Sequence, residues 1–204
     1  MKYLIGIDEA GRGPLAGPVS VGAVMVRRGG EKTFLRLMRD SKQLSEAARE
    51  ELFTDLMSLR KQGVLNFSHS FSSASVIDRR GIVPAIRSAL SRCLLKLGAD
   101  PRECEVLLDG SLYAPEEFVA QKTIIRGDAS EPIISAASIV AKVMRDRYME
   151  RIAAAYPSYG FEVHKGYGTA KHRAAIRSYG LSGLHRASFC KSLHPAGNTV
   201  YPVR

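Results

Sequence analysis

The chain has 204 residues, 45% of them hydrophobic, and a formal net charge of +10, which suits one domain with an ordinary core and excludes a disordered chain. No apolar stretch reaches the roughly 18 residues needed to cross a membrane, and the first apolar run meets acid too early for a secretory leader. Three cysteines, Cys93, Cys104 and Cys190, are odd in number and form no C-x-x-C pair, so we expect neither a disulfide framework nor a zinc site, and a reduced, cytoplasmic setting.

Tyr3 to Asp8 is a short apolar run ending at acids, and Val19 to Val26 is rich in Val; both read as strands. Between them, E-A-G-R-G-P-L-A-G-P holds too much Gly and Pro for the interior of either element and reads as a loop. Ser45 is placed to cap a helix through Arg60, with Leu52, Leu56 and Leu59 as its buried stripe and Gly63 at its stop. Val64 to Phe71 alternates as a half-buried strand. A helical stretch begins at Ser75, breaks near Gly81, and resumes with Ile86, Leu90, Cys93 and Leu97 at helical spacing before Gly98. Glu105 to Asp109 and Gln121 to Arg126 give two more strands. The longest helix runs from Ile133 to Tyr156, where Ala136, Ala137 and Ala141 allow close approach of a neighbour; a last helix spans Thr169 to Tyr179 and closes at Gly180. This order predicts an α/β fold built on a mixed sheet.

The charge is uneven. From Arg151 to Arg204 there are eight Lys or Arg against one acid, Glu162, together with four of the five histidines and five of the eight tyrosines. A basic, Tyr-rich region suits phosphate neutralisation with stacking on sugars or bases; the alternative is a solvated basic face.

Acids fall at strand ends: Asp8-Glu9 ends the first strand, Asp109 ends the fourth, and Asp128 directly follows the fifth. In open α/β sheets, ligands bind beyond the carboxyl ends of strands. Acids gathered there repel one another unless a divalent cation compensates, and an oxygen-only donor set favours Mg²⁺ or Mn²⁺ over zinc. Adjacent strand residues point to opposite faces, so Asp8 and Glu9 share a site only if the strand ends or bulges there. Asp146, in R-D-R on the long helix, either supports the metal site from behind or pairs with Lys142 at i−4. Gly11 to Gly17 reads G-x-G-x-x-x-G, and Pro14 and Pro18 oppose a helix starting there, which argues against a dinucleotide-binding loop.

The whole string I-D-E-A-G-R-G-P-L-A-G-P-V (Ile7 to Val19) closely resembles the signature of type 2 ribonucleases H, the ribonuclease HII family. The resemblance continues in order through D-S-K-Q-L (Asp40 to Leu44), L-L-D-G (Leu107 to Gly110), R-G-D (Arg126 to Asp128), I-S-A-A-S-I-V-A-K-V-M-R-D-R (Ile134 to Arg147) and H-K-G-Y-G-T-A-K-H (His164 to His172). It implies an RNase H-like five-stranded mixed sheet flanked by helices, here residues 1–156, with a basic helical C-terminal region, 157–204, that contributes to substrate binding. It further implies Asp8, Glu9, Asp109 and Asp128 as metal-binding, catalytic carboxylates. Gly11, Arg12 and Gly13 would touch a ribonucleotide 2′-hydroxyl, and Tyr167 would pack on the neighbouring deoxyribose. Arg126 stands where the family often has Lys, and the tail after Phe189 shows no clamp-binding peptide of the kind some relatives carry. Type 3 relatives carry an extra N-terminal domain and usually Glu at the fourth acid, so type 2 is favoured over type 3.

The activity so implied is endonucleolytic: cleavage of the RNA strand of RNA–DNA hybrids, and nicking 5′ to ribonucleotides embedded in duplex DNA. Two divalent ions about 4 Å apart would share the scissile phosphate, leaving 3′-hydroxyl and 5′-phosphate ends. Lys42, Lys165, Lys171 and Arg173 would neutralise backbone phosphates without sequence preference; His164 and His172 are read as serving packing or phosphate contact, with proton transfer as the alternative. We expect a monomer without an obligatory protein partner or membrane. A non-catalytic nucleic-acid-binding module would leave the acids unexplained, and a nucleotide-dependent oxidoreductase would need the glycine loop to open a helix.

Overall fold

Strand β1 (Tyr3–Ala10) alternates: Ile5 and Ile7 face one core, while Leu4, Gly6 and Asp8 face the other. The computed structural model describes residues 1–30 and 45–193. The D-S-K-Q-L block with Lys42, and the tail from 194 onward, lie outside the described residues. β2 (Val19–Arg27) pairs antiparallel with β1 and with β3 (Leu65–Ser72); β4 (Cys104–Asp109) pairs parallel with β1 and with β5 (Gln121–Ile124). The sheet order is β3-β2-β1-β4-β5, the five-stranded mixed sheet expected.

Helices cover both faces. Helix α1 (Glu46–Lys61) is capped by Ser45, whose hydroxyl accepts the Ala48 N–H, and α2 (Ala74–Arg80) is capped by Ser73 in the same way. Helix α3 (Ile82–Leu97) ends on a left-handed Gly98. Its Ile86, Leu90, Cys93 and Leu97 pack with Ile5, Ile7, Val21, Val106 and Leu108 into one core. The opposite core joins Leu4, Val24, Val26 and Leu107 to Phe53 and Leu56 of α1 and to helix α5 (Pro132–Ala153). The alanine-rich side of α5 meets glycine on the sheet. A Cβ at Gly6 would lie 2.3 Å from the Ile133 carbonyl oxygen, and one at Gly22 would lie 2.3 Å from that of Ala137. Those two missing side chains seat α5 directly over β1 and β2.

Beyond α5, the short helix α6 (Phe161–His164), α7 (Ala170–Tyr179) and a 3₁₀ turn (Ala187–Phe189) pack back on the Gly11–Pro18 loop. Met149, Ala153, Tyr159 and Phe161 enclose Ala16, and Ile176, Leu181 and Cys190 enclose Leu15. The Asp78 carboxylate on α2 accepts the N–H groups of Ala187 (2.8 Å) and Ser188 (3.0 Å), tying this region to α2. All three cysteines are free and buried. No helix among the described residues is long and apolar enough to cross a membrane.

Two boundaries differ from the sequence reading. β1 continues to Ala10 in regular register with β2, Asp8 opposite Gly22 and Glu9 opposite Val21, so it neither ends nor bulges at the acids. β5 stops at Ile124, and a turn leads into the four-residue helix α4 (Gly127–Ser130), so Asp128 sits in a helical turn and not on a strand end.

Candidate active site

The parallel pairing of β1 with β4 runs from Tyr3 opposite Cys104 to Ile7 opposite Leu108. One step further, the same register sets Asp8 beside Asp109, both toward α5. Glu9 points to the other face, yet the ladder has already ended on that side, so both faces of β1 open onto one edge. Convergence is therefore achieved by the early end of β4, not by the expected break in β1. Burial first, and then the charges of Glu9 and Asp109, push Asp8 up to about 8, against the Glu9 N–H (2.7 Å) and the Ser138 side chain, which hold it down. Burial also raises Glu9; Arg12 opposes this and Asp109 adds to it.

Asp8, Glu9 and Asp109 have protein partners. Glu9 Oε1 pairs with Arg12 Nη1 at 2.8 Å, which puts a protein cation beside one of the acids. Asp109 Oδ1 accepts the N–H of Gly127 (2.7 Å) and of Asp128 (3.4 Å), which ties the exposed α4 turn to the strand end. Arg126, just before α4, is held at φ 55, a left-handed conformation unusual outside glycine. Asp146 is buried and pairs with Lys142 at 2.8 Å, the i−4 alternative. With these rotamers, no group of three or more His, Cys, Asp or Glu among the described residues is set to hold an ion. One atom is left over: Glu9 Oε2 is buried without a hydrogen-bond partner, an unmet acceptor of the kind a cation satisfies. An oxygen donor set with that orphan, crowded enough to raise Asp8, fits a divalent ion.

The glycine loop follows directly. A Cβ at Gly11 would collide with the Arg145 side chain, whereas one at Gly13 would meet open space. So Gly11 is required by packing, and Gly13 leaves the approach to the loop clear. Leu15 and Ala16 donate their N–H groups to the Gly166 carbonyl at 2.9 and 3.3 Å, which brings Tyr167 beside the loop. Its half-exposed ring lies 5.8 Å from both the Lys142 ammonium and the Arg145 guanidinium.

Of the basic residues proposed for phosphate, Lys171 and Arg173 are exposed on α7. Lys165 is not: its side chain is 10% exposed and its ammonium pairs with Glu150 at 2.5 Å and Glu46 at 3.5 Å. A nearby acid pair has claimed the charge that sequence proximity to Tyr167 suggested was free. His164 and His172 are buried and stacked at 4.3 Å. His164 Nδ1 accepts the Gly166 N–H and its Nε2 meets the Tyr159 carbonyl. His172 Nδ1 meets the Tyr167 carbonyl, and His185 Nδ1 accepts the Ser182 N–H. These partners require His185 Nε2–H to donate to His172 Nε2 at 3.1 Å, with every ring neutral. The histidines are a packing element under Tyr167.

Sequence reasoning missed two site-shaping residues, the fully buried Arg145 and Arg186. Arg145 was legible, since it continues the buried stripe Ala137, Ala141, Met149 at i+4 steps. Arg186 lies outside any periodic element and gave no such signal.

Asp8, Glu9 and Asp109 at the open end of a β3-β2-β1-β4-β5 sheet fit a hydrolase of the ribonuclease H class. The family profile of Ribonuclease HII matches residues 5–192, and the chain belongs to that family. It is thus a ribonuclease H, and dependence on divalent metal is general to the family. It is 42% identical over 192 residues to the Ribonuclease HII of Lachnoclostridium phytofermentans, covering 94% of this chain and 72% of that one. It is 43% identical to that of Fusobacterium nucleatum subsp. nucleatum, covering 94% and 87%. Among solved structures, the ribonuclease H2 of Pyrococcus horikoshii superposes with a TM-score of 0.68 at 25% identity over 94% of this chain and 96% of that one. Bst-RNase HIII, solved in complex with Mn²⁺, shares the fold with a TM-score of 0.66 at 20% identity, covering 87% of this chain and 63% of that one.

Proposed function

We propose that the chain cleaves the RNA strand of RNA–DNA hybrids and nicks duplex DNA 5′ to embedded ribonucleotides, leaving 3′-hydroxyl and 5′-phosphate ends. The observation that carries this reading is Asp8 set in register beside Asp109 with Glu9 Oε2 buried and unpartnered next to them. Asp8, Glu9, Asp109 and Asp128 would hold two divalent ions, Mg²⁺ or Mn²⁺; the Mn²⁺ complex of Bst-RNase HIII, which shares this fold, supports that choice. When bound, such ions supply a water activated at neutral pH and charge compensation for the departing 3′-oxygen.

The chain's own residues do the rest. Arg12 fixes Glu9 by one oxygen and leaves the other for the site. Asp109 holds the α4 turn, and with it Asp128, against the strand end. Gly13 leaves room for a ribose to approach the loop, and the half-exposed Tyr167 ring would pack on the following sugar. Residues 157–204 would contribute Lys171 and Arg173 to backbone phosphates, a contact without base preference.

The test is a duplex carrying one ribonucleotide, incubated with Mg²⁺ or Mn²⁺ and mapped at nucleotide resolution. A single cut 5′ to the ribonucleotide, with a 3′-hydroxyl end, is expected. Cleavage confined to continuous hybrids would overturn the junction reading.

A further inference from the structure

Arg145 and Arg186 are the largest side chains that the structure buries completely. Neither forms an ion pair among the described residues; each is satisfied by carbonyls alone. Arg145 donates from Nε to Pro18 (2.9 Å), from Nη1 to Lys165 (2.9 Å) and from Nη2 to Ala16 (3.2 Å). Arg186 donates from Nε to Gly17 (3.0 Å), from Nη1 to Arg12 (2.8 Å) and from Nη2 to Gly11 (2.7 Å). Five of those six carbonyls lie in the loop that leaves the carboxylates. The sixth, Lys165, is held at φ 50 two residues before Tyr167.

Burying a cation without a counter-ion is costly, and an apolar side chain of similar volume is often more stable there. The arrangement is explained by what it does to peptide planes. In a trans peptide the C=O of one residue is antiparallel to the N–H of the next. Drawing the Gly11 and Arg12 carbonyls inward therefore turns the N–H groups of Arg12 and Gly13 outward. Among the described residues neither N–H has a protein acceptor, whereas those of Leu15, Ala16 and Gly17 are all bonded inside. Arg12 and Gly13 are also exposed, and a Cβ at Gly13 would meet nothing within 4 Å. The result is a pair of donors facing solvent at the end of β1, next to Glu9.

We propose that Arg186 is a positioning residue for ribonucleotide recognition: it holds the Arg12 and Gly13 N–H groups outward to meet a ribose 2′-hydroxyl. Arg145 ties the same loop to the Lys165–Gly166 turn, so the donors and the Tyr167 ring keep one spacing. The inference rests on the junction reading above.

The experiment measures binding without divalent ion, for a duplex with one ribonucleotide and for the all-DNA duplex of the same sequence. Wild type should favour the ribonucleotide duplex by about tenfold. Arg186→Lys keeps the charge but loses the fork that spans two carbonyls, so its preference should fall toward one while its affinity for all-DNA duplex holds. Adding guanidinium to Arg186→Ala should restore the preference. A folded Arg186→Lys protein with wild-type preference would overturn the inference; a wild type with no preference and no junction cleavage would overturn the junction reading itself. Should Arg186→Lys not fold, amide hydrogen exchange of the wild type decides. The Arg12 and Gly13 amides should exchange freely alone and gain protection with the ribonucleotide duplex only. Equal protection by all-DNA duplex would sink the proposal.

Discussion

Asp8 stands beside Asp109 one residue past the last paired positions of two parallel strands, Ile7 and Leu108. Burial raises the cost of charge on Asp8 most, and the Glu9 and Asp109 carboxylates add to it. Asp8→Asn should therefore raise the thermal midpoint of the metal-free protein by a few degrees, and abolish the further rise that Mn²⁺ gives the wild type. Thermal melts with and without Mn²⁺ check both; a metal-induced rise that survives in Asp8→Asn would remove Asp8 from the ligand set.

Asp109 has a second duty, accepting the Gly127 N–H that seats α4. Asparagine keeps an oxygen for that bond. Asp109→Asn should accordingly fold and bind duplex like wild type while cleavage falls by about 10³-fold, the scale of several kcal/mol of charge stabilisation at a phosphate. A rate within tenfold of wild type would show that Asp109 only anchors the turn.

The two lysines flanking Tyr167 should separate. Lys171 is exposed, and if it meets a phosphate, Lys171→Ala should reduce the slope of log affinity against log salt by about 0.9. Lys165 is spent on Glu150 and Glu46, so Lys165→Ala should leave that slope alone and lower stability by roughly 1 kcal/mol, about 2–4 °C at this chain size. A Lys165→Ala slope as flat as that of Lys171→Ala would show that the ion pairs open on binding.

Tyr167 should act on one substrate more than another. An extra hydroxyl on the sugar that follows the ribonucleotide would crowd its ring and demand desolvation. Tyr167→Ala should lose cleavage of a single embedded ribonucleotide by far more than it loses rate on a continuous hybrid, and more than it loses affinity for any duplex. The ratio of the two rates at fixed metal and salt is the readout, and an unchanged ratio would make Tyr167 a packing residue.

The buried histidines predict a pH dependence. Burial first, and neighbouring histidines next for His185, take His172 from an ordinary 6.5 down to about 4 and His185 down to about 3; the hydrogen bond that His172 donates to the Tyr167 carbonyl opposes the change at His172. The unfolded chain takes up these protons near 6.5 and the folded one does not. Stability should thus be full above about pH 6.5 and decline as pH falls toward 4. Urea midpoints between pH 7.5 and 5 measure this; a flat profile would mean that the cluster accepts charge without strain.

Much was legible before any tertiary contact. The alternation of β3, the Ser45 cap of α1, the glycine stop of α3 and the span of α7 are local effects, written in the residues that produce them. The long motif blocks carried the family, because their order and spacing need no coordinates to be read. Of the acids read from strand ends, Asp109 does close its strand, while β1 runs on past Asp8 and Glu9, and Asp128 lies in a helical turn.

What the residue order could not decide was which face and which partner each group would find. β1 passes straight through Asp8 and Glu9, and the site opens because β4, a hundred residues later, stops first. Lys165 looked free beside Tyr167 until α1 and α5 brought Glu46 and Glu150 to it. Arg186 carries no periodic signal at all, yet it reaches back across the chain to the Gly11 and Arg12 carbonyls. Local hydrogen bonding and alternation act within a few residues and can be read one window at a time. The side-chain partners of buried charges are set by which distant elements the two cores press together, and that is settled only when the sheet is covered on both faces.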